Sequence, residues 1–210
     1  MTRRAILIFA RNPREEAAAK RLPQLEPVFA AVIAGWRRAA DSCSAASIIA
    51  SDQRGSTFGA RLFNAATDAF ASGFETLLIT GIDVPPLHSI EQAFIAAENG
   101  EVAIAPSTDG GVNAIVLQQG DAAILATFEL RDANLARRCI ESFVDRVFLL
   151  TRCTDIDSAE SFRVARGEIL WQPYLSAAFV AFEQQPARTL LASFTTQRLR
   201  APPRVSAIRF

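Results

Sequence analysis

The chain has 210 residues, half of them hydrophobic, and its 22 basic and 22 acidic side chains give a formal net charge of zero. This length and composition predict one domain with a sizeable core and argue against a disordered protein. The charge balance gives no electrostatic reason to bind nucleic acid, and no apolar run reaches the roughly 18 residues that span a bilayer.

Strand and helix signals alternate along most of the chain. Apolar runs predict strands at residues 5–10, 47–50, 76–80, 102–105, 113–117 and 147–150. Apolar positions at helical spacing predict helices at residues 28–40, 58–71, 90–97, 134–143 and 158–163. This alternation predicts an α/β fold, a three-layer α/β/α sandwich around a mostly parallel sheet with right-handed crossovers.

The pattern changes beyond Phe162, where the aromatic-rich stretch 171–183 predicts a helix and the chain ends in an apolar tail. We therefore predict a main domain over residues 1–162 and a C-terminal extension, 163–210, packed on the same domain. The apolar tail predicts either packing on this core or a contact between the two copies of a homodimer.

Several kinds of catalytic site have no support in this sequence. The first strand is not followed by GxGxxG, and neither GxxxxGK[ST] nor GxSxG occurs. Three widely spaced cysteines without a CxxC pair argue against a disulfide framework or a zinc site and favour a reducing cytoplasm. His88 is the single histidine, so a metal-independent hydrolase would need it as base, although a capping or surface role is the simpler interpretation.

One strand end carries a carboxylate. Residues 76–87 read TLLITGIDVPPL, so Asp83 follows an apolar strand directly. Open α/β sheets bind ligands beyond the carboxyl ends of their strands, where Asp83 could hold a divalent cation and, through it, a diphosphate. Asp83 could equally cap the next helix or shape the proline turn.

Five segments near strand ends resemble a known family. They are RNPREEAAAKRL at 11–22, QRGSTFGARL at 53–62, GIDVPPL at 81–87, APSTDGGVNAIVL at 105–117 and TDIDSAESF at 154–162. In this order they resemble the uncharacterised nucleotide-diphospho-sugar transferase-like family that includes proteins assigned to arsenosugar synthesis. The resemblance covers residues 4 to about 162. It implies the glycosyltransferase-A fold of the sugar-phosphate and molybdenum-cofactor nucleotidyltransferases.

The first of these segments departs from the family pattern, which looks like KxPxxGxxKTRL. Pro13, Arg21 and Leu22 match, whereas Glu16 stands at the family's glycine and Lys20 lies one place beyond its second lysine. As a loop that wraps phosphates, this segment would place Glu15 and Glu16 where they repel phosphate, and Lys20 and Arg21 could partly compensate. The alternative interpretation is a solvated helix with a Glu16–Lys20 pair at i,i+4 spacing.

The resemblance also implies roles for individual residues in binding a nucleotide or nucleotide-sugar. The implied nucleotide-binding residues are Arg11, Lys20, Arg21 and Arg61. In the last segment Asp155 and Asp157 match a DVDT pattern. Asp83 and Asp157 are the implied ligands of Mg²⁺ or Mn²⁺. Asp157 could instead cap the helix that follows it.

The segment Asp109-Gly110-Gly111 matches a DGGY element that lies near the acceptor or sugar in the family. Asp83 and Asp109 are therefore the implied catalytic residues, and Gly110 and Gly111 the implied substrate-binding residues. Val112 replaces the tyrosine of that element. Asp-Gly-Gly between two apolar runs is also a good hairpin turn, and both interpretations stay open.

Two functions from different classes follow from these patterns. The first is a glycosyl- or nucleotidyltransferase that acts on a nucleotide-activated sugar or phosphorylated small molecule with a divalent metal. The second is a degenerate, non-catalytic member of the family that binds a ligand or a protein, because a fold can persist without its chemistry. Glu15 and Glu16 in the first loop favour the second function, whereas Asp83 and Asp157 favour the first.

Overall fold

The computed structural model describes residues 3–130 and 132–176. Its strands are β1 (Arg4–Phe9), β2 (Ala46–Ala50), β3 (Thr76–Thr80), β4 (Val102–Pro106), β5 (Val112–Gln118) and β6 (Val147–Leu149). They form one sheet in the order β2-β1-β3-β5-β4-β6. Strand β5 is antiparallel to both neighbours and the other pairs are parallel, so the sheet is mostly parallel, as predicted.

Helices connect these strands and cover both faces of the sheet. They are α1 (Pro13–Ala19), α2 (Glu26–Ser42), α3 (Phe58–Ala71), α4 (Ile90–Glu98), α5 (Leu135–Phe143) and α6 (Ala159–Ala165), with 3₁₀ segments at Pro23–Leu25, Gln119–Thr127 and Ile169–Trp171. The first helix begins where the Asn12 side chain accepts a hydrogen bond from the Glu15 N–H, and Thr57 caps α3 in the same way through Ala60.

The core lies in two layers because successive side chains of a strand point to opposite faces of the sheet. Ile6 and Ile8 of β1 are fully buried in the layer formed with α2 and α4. Ala5 and Leu7, which alternate with them, are buried in the layer formed with α3 and α5. This arrangement confirms the predicted three-layer sandwich.

The structure extends the predictions in two places. Residues 13–19, for which a phosphate loop and a helix were both open, form α1, and residues 119–127 form a 3₁₀ segment that apolar periodicity did not predict. Of the helix predicted at 171–183, residues 172–176 are helical and follow the 3₁₀ segment Ile169–Trp171. Residues 177–183 and the apolar tail lie outside the described residues. The domain division at residue 162 and the homodimer stay predictions. Among the described helices, none is long and apolar enough to cross a membrane.

Candidate functional site

A cavity of about 420 Å³ opens at the carboxyl ends of β1 and β3 and beside the start of β5. A volume of this size suits a small ligand. Seven acidic and three basic side chains line it, so its charge favours a cation or a ligand that arrives with one. The basic side chains are Arg11, Lys20 and Arg61, and the acidic ones are Glu16, Asp83, Asp109, Glu129, Asp132, Asp155 and Asp157.

Two buried neighbours and a hydrogen bond fix the backbone around Asp83. Ile82 and Val84 are almost fully buried, so the intervening Asp83 side chain points away from the core and into the cavity. The indole N–H of Trp36 donates a 2.9 Å hydrogen bond to the carbonyl oxygen of Val84. A β-carbon at Gly81 would lie 2.1 Å from Asp83 Oδ1, so the carboxylate occupies space that only glycine leaves free at position 81.

The loop after β6 brings Asp155 and Asp157 to the same place. Ile156 between them is fully buried, and its N–H donates a 3.0 Å hydrogen bond to the carbonyl oxygen of Asp83. The Ser107 hydroxyl, which follows β4, donates to the Asp155 carboxylate. Buried apolar residues on alternate positions therefore direct the carboxylates of both loops into one cavity.

The three carboxylates form a cluster, which we call the aspartate cluster: Asp83, Asp155 and Asp157. One oxygen atom from each lies within 4.8 Å of the others. Burial, together with the charge of Asp83, raises the pKa of Asp155 to about 7, although the Ser107 hydrogen bond opposes this rise. Carboxylate oxygens are the ligands that Mg²⁺ and Mn²⁺ prefer, so the donor set of the aspartate cluster fits such an ion.

The ammonium group of Lys20 lies at the aspartate cluster. Lys20 Nζ donates a 2.7 Å hydrogen bond to Asp83 Oδ2 and a second one to Asp157 Oδ1, and it lies 3.7 Å from Glu16 Oε1. Only 10% of its side chain is exposed. Burial lowers the pKa of Lys20, but the charges of Asp83 and Asp157 outweigh burial and hold that pKa above its ordinary value. The predicted Glu16–Lys20 pair is thus present, yet Lys20 faces the cavity instead of solvent.

Glu16, which stands at the family's glycine, belongs to the same group of charges. Burial and the charge of Asp83 raise the pKa of the Glu16 carboxyl, while Lys20 and Arg11 oppose this effect. Arg11 follows β1 and lines the cavity beside it. The two basic side chains near Glu16 reduce the repulsion that its charge would exert on a phosphate group.

The Asp109-Gly110-Gly111 segment forms the turn between β4 and β5, whose antiparallel pairing was predicted. The Gly111 N–H donates a 2.9 Å hydrogen bond to Asp109 Oδ1, which orders the turn. Asp109 and Gly111 line the cavity. Gly110 has a φ of 95° and packs so closely on the Ala133 carbonyl that a β-carbon would lie 1.9 Å from its oxygen. One segment therefore forms both the hairpin turn and part of the cavity wall.

Apolar and aromatic side chains also line the cavity. Phe9 and Phe58 meet edge to face with ring centroids 5.8 Å apart. The buried Leu62 and Phe128 also line the cavity, as does Leu130, which is 66% exposed. The cavity thus combines the aspartate cluster with apolar side chains that could pack against a ring or an aliphatic group.

The structure brings together most of the site residues that the sequence analysis named. Arg11, Lys20, Arg61, Asp83, Asp109, Gly111 and Asp157 line the cavity. Three named residues lie outside this lining: Arg21, His88 and Gly110. Of these, Arg21 and His88 are exposed. Asp155, which the sequence analysis matched to a motif but did not name as a metal ligand, belongs to the aspartate cluster. Its position two residues before Asp157, across a buried isoleucine, was the signal that could have identified it.

Glu168 and Trp171, which we call the C-terminal clamp, bind the backbone of the loop that carries Asp155. The Glu168 carboxylate accepts hydrogen bonds from the Thr154 N–H at 3.0 Å and from the Thr154 hydroxyl. The indole N–H of the fully buried Trp171 donates to the Thr154 carbonyl oxygen at 2.7 Å. Residues beyond Phe162, for which the sequence offered no function, thereby fix the backbone next to the aspartate cluster.

Comparison with known proteins gives one family and several similar folds. A family model described as "Uncharacterized protein conserved in bacteria (DUF2064)" matches residues 16–130. No curated protein matches the sequence. The matched segment includes the last four residues of α1, β3 with Asp83 after it, and the β4–β5 turn.

Two solved structures illustrate the similarity of fold. A protein provisionally assigned as a nucleotide-diphospho-sugar transferase, from Desulfovibrio desulfuricans G20, is 16% identical over 88% of this chain and 98% of its own, with a TM-score of 0.66. A homologue of Mycobacterium tuberculosis Rv0371c, from Mycobacterium sp. strain JC1, is 16% identical over 84% of this chain and 98% of its own, with a TM-score of 0.50. At such identities the likeness concerns the fold, and it confirms the predicted nucleotide-diphospho-sugar transferase-like architecture.

Proposed function

The chain belongs to the DUF2064 family, uncharacterised proteins that are conserved in bacteria, and on that premise we propose that it is a metal-dependent transferase. Its substrate would be a nucleotide-activated sugar or a phosphorylated small molecule, and the transferred group a glycosyl or nucleotidyl group. The observation that carries this proposal is the aspartate cluster, built from two loops at strand ends within a cavity that also contains Arg11 and Arg61.

The charges of the cavity support a divalent cation as part of the site. Seven acidic side chains against three basic ones would repel a nucleotide diphosphate that entered alone. Asp83, Asp155 and Asp157 would hold Mg²⁺ or Mn²⁺, and such an ion would supply positive charge to a leaving phosphate or diphosphate. Nucleotide binding would therefore depend on the metal.

The remaining roles follow from position in the cavity. Arg11 and Arg61 would bind phosphate oxygens, because a guanidinium group can donate two parallel hydrogen bonds to them. Asp109 lines the cavity at the β4–β5 turn, where its carboxylate could accept a proton from an acceptor hydroxyl. Gly111 next to it leaves room for that acceptor.

Product analysis tests this proposal and separates the two kinds of transfer. The protein would be incubated with UDP- and GDP-sugars, or with nucleoside triphosphates and sugar phosphates, in the presence of Mg²⁺ or Mn²⁺. Release of a nucleoside diphosphate would identify glycosyl transfer, and release of pyrophosphate would identify nucleotidyl transfer. Either activity should be lost in Asp83→Asn and retained in Asp145→Asn, which removes an exposed carboxylate outside the cavity.

A second candidate function, ligand binding without catalysis, is favoured by two observations. Lys20 already neutralises two carboxylates of the aspartate cluster, and Val112 removes the hydroxyl that the family places beside the acceptor site. Nucleotide binding without turnover in the same experiment would identify this second function.

A reducing cytoplasm suits either function. Cys43, Cys139 and Cys153 are all buried free thiols. Burial raises the pKa of the Cys139 thiol to about 11 and that of the Cys153 thiol to about 12. None of the three is paired in the described structure, as is usual for proteins of a reducing compartment.

A further inference from the structure

We propose that the Lys20 ammonium group and a divalent cation are alternative occupants of the aspartate cluster, so that metal binding displaces Lys20 into the cavity. This inference rests on the proposed metal-dependent function and adds a residue that controls it. Lys20 would then determine how tightly the free protein binds metal.

The first argument is steric. Lys20 Nζ lies 2.7 Å from Asp83 Oδ2 and donates a second hydrogen bond to Asp157 Oδ1, so it contacts two of the three carboxylates. The ligand oxygens of the cluster all lie within 4.8 Å of one another. A metal ion bound to carboxylates sits about 2.0–2.6 Å from each oxygen. The space between these oxygens therefore holds one cation at a time.

The second argument concerns charge. Glu16, Asp83, Asp155 and Asp157 converge on a region in which the Lys20 side chain is only 10% exposed. The Glu16 and Asp83 side chains are only about one fifth exposed and Asp155 is half-buried, whereas the Asp157 side chain is 57% exposed. Carboxylates brought together where water is partly excluded require a compensating cation. Lys20 supplies that charge in the free protein, whereas a bound divalent ion would supply more and would repel the ammonium group.

The third argument is that Lys20 can move without disrupting the fold. It is the C-cap residue of α1 instead of an interior position, and the helix ends there with Arg21 at a φ of 59°. Its flexible four-carbon stem lines the open cavity. A displaced ammonium group would thus stay in the compartment that a phosphate would enter, where positive charge is useful.

Metal titration of charge-removing variants tests the inference without depending on activity. Mn²⁺ binding would be measured by electron paramagnetic resonance for the wild type, Lys20→Met and Arg61→Met. The Lys20→Met protein should bind Mn²⁺ about tenfold more tightly than the wild type, or better. Arg61 lines the same cavity, but its guanidinium contacts the Thr57 carbonyl oxygen, so its variant measures the long-range effect of losing one charge. That effect should stay below about threefold.

A second measurement uses the wild type alone, which guards against a folding defect in the Lys20 variant. Lys20 is the single lysine of the chain, so an amine-acylating reagent modifies only Lys20 and the terminal amine. Mass spectrometry of the modified peptides should show that saturating Mg²⁺ accelerates acylation of Lys20 severalfold and leaves the rate at the terminal amine unchanged.

The possible results separate this inference from the proposed function. Equal Mn²⁺ affinity of the wild type and Lys20→Met, with Lys20 acylation unaffected by Mg²⁺, would overturn the displacement of Lys20 while leaving a metal site in place. Absence of Mn²⁺ binding by both proteins would overturn the metal-dependent function itself, and with it this inference. Tighter binding by Lys20→Met, beyond the change in Arg61→Met, would support both.

Discussion

The backbone N–H of Ile156 donates a 3.0 Å hydrogen bond to the carbonyl oxygen of Asp83. This bond joins the loop after β3 to the loop after β6, which are far apart in sequence and lie at different positions in the sheet. Because Ile156 is fully buried, the carboxylates of Asp155 and Asp157 face the cavity on either side of it. The geometry of the aspartate cluster therefore depends on the backbone and on core packing, which makes it sensitive to changes outside the carboxylates.

Substitution of Gly81 should impair metal binding more than folding. The β-carbon of Gly81→Ala would lie 2.1 Å from Asp83 Oδ1, and the end of the Asp83 side chain can move away by rotation. We expect the melting temperature to change little and the affinity for Mn²⁺ to fall about fivefold. Calorimetric titration and thermal unfolding would measure the two quantities.

The matched control for this substitution is Gly120→Ala, because a β-carbon at that position meets no atom within 4 Å. It should leave both the melting temperature and the Mn²⁺ affinity near their wild-type values. If Gly81→Ala behaved like Gly120→Ala, the placement of the Asp83 carboxylate described above would be wrong.

Loss of the C-terminal clamp should destabilise the protein and loosen the metal site together. Glu168→Ala would leave the N–H of Thr154, which is 3% exposed, without its hydrogen-bond acceptor. An unsatisfied buried donor costs about 1–3 kcal/mol, so the free energy of unfolding in urea should fall by that amount. Mn²⁺ affinity should fall as well, since Thr154 precedes Asp155 directly. Glu160→Ala, an exposed carboxylate on α6, is the control, and an effect of equal size there would argue against the clamp.

The Arg4–Glu98 ion pair should make stability depend on pH in acid. The hydrogen bond from Arg4 lowers the pKa of Glu98 from its ordinary value of 4.5, against the opposing effect of burial. A lowered pKa means that the pair stabilises the fold fully above pH 4.5 and that this stabilisation is lost as the pH falls through the lower, folded-state value. Glu98→Gln should therefore cost about 1 kcal/mol at pH 7, and less as the pH drops below 4.5.

Urea unfolding of the wild type and Glu98→Gln at pH 7 and across the acid range would measure this difference. A destabilisation that stayed constant down to pH 3 would show that the Glu98 charge is not its cause. The pair is distant from the cavity, so Mn²⁺ affinity at pH 7 should not change.

The sequence predicted the fold because local patterns and long-range packing agree. The strand at Thr76–Thr80 and the helix at Phe58–Ala71 have the predicted bounds, since buried strands are continuous apolar runs and helix α3 carries both a cap at Thr57 and an apolar stripe. The position of Asp83 at a strand end followed directly from this pattern. The 3₁₀ segment at Gln119–Thr127 did not, because it lacks a 3.6-residue apolar period.

Sequence reasoning named Lys20 and Asp157 but missed their mutual contact, Asp155 as a metal ligand and the role of Glu168, because these depend on long-range contacts. Lys20 stands one place beyond the family's lysine, and its proximity to Asp157 follows only from the direction in which α1 ends. Asp155 and Asp157 are two residues apart, and the burial of Ile156 decides that both face the cavity. Glu168 reaches Thr154 across a turn and a short helix, and no periodicity in the sequence signals such a contact.

The most direct test of the proposed function is calorimetric titration of UDP, GDP, CTP and UDP-sugars, with and without Mn²⁺, on the wild type and Asp83→Ala. We expect the wild type to bind at least one nucleotide only when Mn²⁺ is present, and Asp83→Ala to lose that binding by about tenfold or more. Asp145→Ala should bind like the wild type. Nucleotide binding that is independent of Mn²⁺ and unchanged in Asp83→Ala, or no binding across the whole panel, would contradict a metal-dependent transferase site at the aspartate cluster.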